Sequence, residues 1–163
     1  MAPPVEERVS FLIHKVNARL AQIVNREFRA ADLDLFSSRI LVFLLEREEM
    51  RVGELVESMV LPQSTISHQL QRLEKKKLIR RRRTKEDNRS VSVVLTPFGK
   101  EVALRCNHLS LNVYNALTAQ FTEAELSSLR AQLRRMFEAL SEIEAADPTE
   151  RQLTEHISGA RKA

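Results

Sequence analysis

The chain has 163 residues, 43% apolar and 29% charged, with one cysteine, three glycines and a net charge of +4. That composition fits one globular domain, or one domain with an appended oligomerisation element. It contains no run near the roughly 20 apolar residues of a membrane span and no cysteine pair for a disulfide, and its few glycines argue against phosphate-cradling loops.

The N-terminus, Met1 to Arg8, leads into a charged amphipathic segment and not an apolar signal core. With Cys106 as the lone thiol, a reducing cytoplasm is the expected location. After Pro3 and Pro4, apolar residues recur in steps of three and four from Val5 through Val9, Leu12, Ile13, Val16, Leu20, Ile23 and Val24 to Phe28. This spacing predicts one amphipathic helix of about 25 residues. Asp32 to Leu35 reads as a break. Ser37 is the expected N-cap of the next helix, which carries Ile40, Leu41, Phe43, Leu44 and Leu45 and fades at Glu46 to Met50.

Two short helices follow. Gly53 opens the first, with Leu55, Val56 and Met59 on its apolar face. Val60 and Leu61 make a tight link, and Pro62 suits the first position of the second. There Ile66, Leu70 and Leu73 lie within about 60° of one another at 100° per residue. Ser64, His68, Gln71 and Lys75 point the opposite way, flanked by Ser67, Thr65 and Arg72. After Leu78 the period drops to two, predicting strands over Ile79–Thr84 and Val91–Thr96 joined by the polar turn Lys85–Ser90. Thr96 then caps a long helix with Pro97 at its first position. Thr122 and Glu125 form a capping box for another, with Leu126, Leu129, Leu133, Met136, Phe137, Leu140 and Ile143 near heptad spacing. A further box, Thr149 to Gln152 after Pro148, predicts a short final helix before a frayed tail from Gly159 to Ala163.

The charge is concentrated. Residues 72 to 89 hold ten basic and three acidic side chains, a net +7, which leaves −3 on the other 145 residues. A protein that neutralises phosphates at one place has this distribution. A helix with a packed inner face and a hydrogen-bonding outer face fits the DNA major groove, about 12 Å wide. Gln63, Ser64, Thr65, Ser67 and His68, near its N-terminus, are expected at base edges or neighbouring phosphates, with Gln71 on the same face. Arg72 and Lys75, further along, are expected on phosphate. The hairpin, with Arg83 and Lys85, would carry Arg89 into the adjacent minor groove.

Taken together, Val52-x-x-Leu55, Gln63-Ser-Thr-Ile-Ser67, Leu70-x-x-Leu73-Glu74-Lys75-Lys76, Leu78-Ile79-x-Arg81, Glu86-Asp87-Asn88-Arg89-Ser90 and Leu95-Thr96-x-x-Gly99 resemble the MarR (multiple antibiotic resistance regulator) family. The likeness spans about residues 8 to 145 and is strongest from 52 to 99. It implies a mainly α fold with a small β-hairpin wing: a winged helix-turn-helix over residues 35–96, flanked by dimerisation helices over 1–34 and 97–163. It further implies a homodimer on a pseudo-palindromic operator, probing the minor groove with Arg89 while Asp87 fixes the wing tip. The function so implied is a transcriptional regulator acting as a ligand-responsive repressor. Relatives take small aromatic or anionic effectors between the dimer helices and the winged domain, where His14, Asn17, Phe36, Arg39, Phe43, Arg105 and Asn107 would converge. Two positions depart from the family pattern. Val60 and Lys77 stand where glycine is usual, so both turns are expected to be slightly reshaped.

The competing reading is a winged-helix module that binds an acidic protein partner. The outer face from Ser64 to His68 disfavours it, because it offers no aromatic or aliphatic anchor. His14, His68, His108 and His156 form no i,i+4 ligand pair and Cys106-x-His108 is not a helical ligand spacing, so no metal or other cofactor is expected. No nucleophile motif surrounds any serine, so an enzyme is not expected either.

Overall fold

A computed structural model of the chain describes residues 3–83 and 91–146. The expected wing-tip turn, the final helix after Pro148 and the tail lie outside the described residues. The chain divides into two compact units, Met1–Tyr114 and Asn115–Ala163.

The first unit opens with a single 3-10 turn, Val5–Glu7, and then helix α1, Val9–Glu27. The expected helix of about 25 residues is thus 19 long. Arg8 adopts extended backbone (φ −66°, ψ 132°) and its Nε donates to the Pro3 carbonyl at 3.2 Å, which interrupts the helical ladder. Helix α2, Leu35–Arg47, is capped by Asp34 and not by Ser37. The Asp34 carboxylate accepts the Ser37 N–H at 2.8 Å, and the Ser37 hydroxyl accepts the Asp34 N–H at 2.9 Å. Ser37 therefore occupies the third helical position of a reciprocal capping box, where the charged acceptor takes the cap.

At Glu48 the backbone swings to φ 63° and enters strand β1, Glu49–Arg51, which the hydrophobic pattern did not reveal. Helix α3, Val52–Met59, and helix α4, Gln63–Lys75, follow, with Pro62 just outside the first turn of α4. Strands β2, Ile79–Arg83, and β3, Val91–Leu95, pair antiparallel as expected, and β1 adds to the far side of β3. The core lies where one sheet face meets the helices. Ile40, Leu41 and Leu44 of α2, Leu55 of α3, Ile66, Leu70 and Leu73 of α4, and Met50, Ile79 and Val93 of the sheet are all essentially inaccessible.

Both glycine-replacing turns keep the left-handed conformation that glycine would favour: Val60 at φ 50° and ψ 49°, Lys77 at φ 58°. Both non-glycine residues are thus held in strained backbone. Thr96 leads the chain out of the sheet into helix α5, Pro97–Thr118. Its hydroxyl accepts the Gly99 N–H at 2.9 Å and donates to the Lys77 carbonyl at 2.6 Å. A Cβ on Gly99 would overlap the Leu78 carbonyl, so the close approach of α5 to the α4–β2 turn requires glycine there. Cys106 faces the core, 3% exposed.

In the second unit, Thr122 and Glu125 make the expected capping box at the head of helix α6, Glu123–Ala146. Leu126 is half-buried, but Leu129, Leu133, Met136 and Phe137 are exposed, as are Leu140 at 64% and Ile143 at 62%. Among the described residues no helix is long and apolar enough to cross a membrane.

Candidate nucleic-acid interface

Helix α4 has two unlike faces. Ile66, Leu70 and Leu73 pin it to the core, together with Gln69, which is buried although polar. On the other side Gln63, Ser64, Ser67, His68, Gln71 and Lys75 are exposed and Thr65 is half-buried. Among the described residues, none of these seven side chains takes part in a hydrogen bond or ion pair, which leaves their donors and acceptors available to a partner.

Arg72 behaves differently from its expected role on phosphate. It is turned back onto the protein, with Nη1 3.0 Å from Asp34 Oδ2 and Nη2 3.3 Å from Asp32 Oδ1 and 3.2 Å from the Asp32 carbonyl. Gln69 Nε2 donates to the same Asp34 oxygen at 3.1 Å. One turn later Lys76 Nζ reaches Asp32 Oδ2 and the Ala31 carbonyl, each at 3.0 Å. Asp32 is in the left-handed region (φ 48°), a conformation aspartate tolerates, and this aims its carboxylate at the two cations.

The electrostatics follow the contacts. Lys76 and then Arg72 hold the Asp32 carboxyl below its ordinary pKa. Burial pushes the Asp34 carboxyl up, but hydrogen bonds from Ser37, Gln69 and Arg72 outweigh it and the net shift is downward. Both acids stay ionised near neutrality, and the loop before α2 holds the C-terminal half of α4 through charge.

Glu74 ties α4 to the wing. Its carboxylate accepts the Arg81 N–H at 3.2 Å and Nε at 2.9 Å, and lies 2.8 Å from Nη2. Asp32, Asp34, Gln69 and Glu74 contribute to this framing, a role the sequence did not assign to any of them. A signal was available in the acids at 32 and 34 before a helix and in a polar residue on an apolar face, but Asp32 and Asp34 meet Gln69 and Arg72 across 35 to 40 positions of chain. Of the expected wing residues, Arg83 ends β2, while Lys85, Asp87 and Arg89 lie outside the described residues.

The seven expected effector residues are spread over three helices. His14 and Asn17 are exposed on α1, with His14 stacked on Phe11 at 6.0 Å between centroids. Phe36, Arg39 and Phe43 lie along α2, with Arg47 5.6 Å above the Phe43 ring. Arg105 is exposed and Asn107 half-buried on α5. Among the described residues no hydrogen bond or ion pair joins any two of the seven. Burial pushes the Cys106 thiol up to about 11. No group of three or more potential metal ligands occurs among the described residues.

Comparison with known proteins agrees with this geometry. A family model described as MarR family matches residues 37–91, from the first turn of α2 to the start of β3. The HTH-type transcriptional regulator SarZ of Staphylococcus aureus is 24% identical over 130 residues, covering 80% of this chain and 86% of SarZ. SarZ of Staphylococcus saprophyticus is 23% identical over 120 residues, covering 74% and 82%. Among solved structures, the S. aureus MepR–DNA complex superposes with a TM-score of 0.74 at 21% identity, covering 82% of this chain and 98% of MepR. A MarR-family transcriptional regulator from Silicibacter pomeroyi gives 0.70 at 26% identity, covering 82% and 90%. A mutant MarR from E. coli complexed with operator DNA gives 0.68 at 22%, covering 83% and 99%. The fold is the mainly α winged helix shared by these proteins.

Proposed function

We infer that this chain is a winged-helix transcriptional regulator of the MarR family, that it acts by binding double-stranded DNA, and that it is not an enzyme. The observation that carries this reading is the outer face of α4. Its hydrogen-bonding side chains have no partner within the described protein, while the opposite face is locked into the core. Gln63, Ser64, Ser67, His68 and Gln71 are the proposed base-reading set, with Thr65 and Lys75 beside them. Arg83, Lys85 and Arg89 would follow the backbone into the minor groove, with Asp87 shaping the tip.

The finer reading is a homodimer that represses from a pseudo-palindromic operator, with residues 35–96 as the DNA-binding domain and 1–34 and 97–163 as dimerisation segments. Its support is apolar surface left in water. Val9, Leu12, Ile13 and Val16 are exposed on α1, and Leu129, Leu133, Phe137, Leu140 and Ile143 on α6. Apolar stripes of this length on a monomer mark interaction surfaces. Response to a small aromatic or anionic effector belongs to the same reading. It rests on the Phe36–Arg39–Phe43 edge of α2, where Arg39 has no hydrogen-bond or ion-pair partner among the described residues.

Selection of fragments from a random duplex pool by the purified protein tests the function. The expected product is an enriched pseudo-palindrome with half-sites about 10 bp apart, or a multiple of that. A pool without enrichment, combined with capture of an acidic protein, would replace the DNA reading with the protein-module reading.

A further inference from the structure

The face of the sheet turned away from the core holds a second cationic arrangement, separate from α4 and from the wing tip. Strand residues alternate between faces, and cross-strand partners share one. Val93 faces the core, paired with Met50 of β1 and Arg81 of β2. The next row, Arg51, Ser92 and Arg82, therefore lies on the outer face, with Glu49, Val94 and Arg80 in the row beside it. Three arginines and one glutamate make that face positive.

Ser92 is the anomaly. It is 2% exposed, and its hydroxyl is buried with no hydrogen-bond partner. An unpartnered buried hydroxyl disfavours the folded state, and a strand position facing outward does not require a serine. On either side of it, Arg51 and Arg82 are exposed, and their guanidinium groups have no partner among the described residues. At the usual strand spacing the Cα atoms of these arginines stand about 10 Å apart with Ser92 midway. Two guanidinium-bearing side chains flanking one central hydroxyl supply the charge and the donors that a tetrahedral oxyanion takes.

We propose that Arg51, Ser92 and Arg82 form a phosphate site across the sheet, filled by a backbone phosphate of bound DNA outside the groove entered by α4. The proposal rests on the DNA reading above. Ser92 supplies the short-range donor and the arginines supply charge, so the hydroxyl is satisfied when the ligand is seated.

The test uses the full chain, a mixed-sequence duplex and inorganic phosphate. Ser92→Ala should melt at the same temperature as wild type or higher, because it removes an unsatisfied hydroxyl. It should nevertheless bind the duplex roughly 3- to 10-fold more weakly, as loss of one charge-assisted hydrogen bond requires. Arg51→Gln and Arg82→Gln should each lower the slope of log affinity against log salt by about 1 per wing. Wild-type affinity in Ser92→Ala, or an unchanged slope in both arginine variants, overturns the site and leaves the DNA reading standing. Should wild type bind no duplex, the DNA reading fails. The oxyanion site then survives as a free-phosphate site if inorganic phosphate raises the melting temperature of wild type but not of Ser92→Ala, and is overturned if neither responds.

Discussion

Asp34 and Arg72 meet at 3.0 Å, so the carboxylate that caps α2 also anchors the helix proposed to read DNA. One Asp34 oxygen serves the cap and the other serves α4 through Gln69 and Arg72. The orientation of α4 against the core is thereby coupled to the start of α2 by a half-buried ionic contact.

Arg72→Ala is expected to destabilise the fold by about 1–3 kcal/mol, because it leaves a half-buried carboxylate short of a charged donor. DNA affinity should fall as α4 loosens, but the salt dependence of binding should stay as in wild type. Denaturant melts and a salt titration check both. A slope reduced by about 1 would return Arg72 to the phosphate contacts.

Asp34→Asn keeps an oxygen for the cap while removing the charge. The folded-state pKa of Asp34 is depressed, so its ionic contribution is complete above the ordinary value of 3.8 and lost as pH falls through the folded value. The variant should be less stable than wild type near pH 7, and the gap should narrow as pH drops below that ordinary value. Urea melts at the two extremes decide it; a constant gap would place the Asp34 contribution in packing rather than charge.

Gly99→Ala should cost more than about 2 kcal/mol, since the added methyl meets the Leu78 carbonyl and either α5 or the α4–β2 turn must move. A thermal melt measures this directly, and a near-neutral result would show that the approach of these two segments is adjustable.

Val60→Gly runs the other way. Val60 is a β-branched residue at φ 50° with 60% of its surface exposed, so it carries backbone strain without compensating burial. Glycine should raise stability by about 1 kcal/mol, net of the extra freedom it gives the unfolded chain. A destabilised variant would mean that the valine side chain contributes to packing despite its exposure.

The Cys106 thiol, raised to about 11 by burial, should resist alkylation near pH 8 in the folded protein and react on unfolding. Rapid labelling of the native state would contradict its place in the core.

The sequence showed most of this fold because its helices and hairpin are local. Ile66, Leu70 and Leu73 repeat at helical spacing, Thr96 and Pro97 announce α5, and Val91, Val93 and Leu95 alternate. Strand β1 was missed because three residues, two of them charged, give no period; its existence depends on β3, more than 40 positions later. The inward turn of Arg72 was missed for a related reason. A basic residue on a polar helix face reads as solvent-facing until Asp32 and Asp34 are brought alongside by the fold. The effector set came wholly from family likeness and has no local pattern.

The central claim is that the outer face of α4 reads bases. Its most direct test is the affinity of wild type and of the Gln63→Ala, Ser67→Ala double variant for a selected fragment and for a random duplex at one salt concentration. The account predicts a loss of roughly 10- to 1,000-fold on the selected fragment, and of less than about threefold on the random one. Equal affinities of the two proteins for the selected fragment would contradict it.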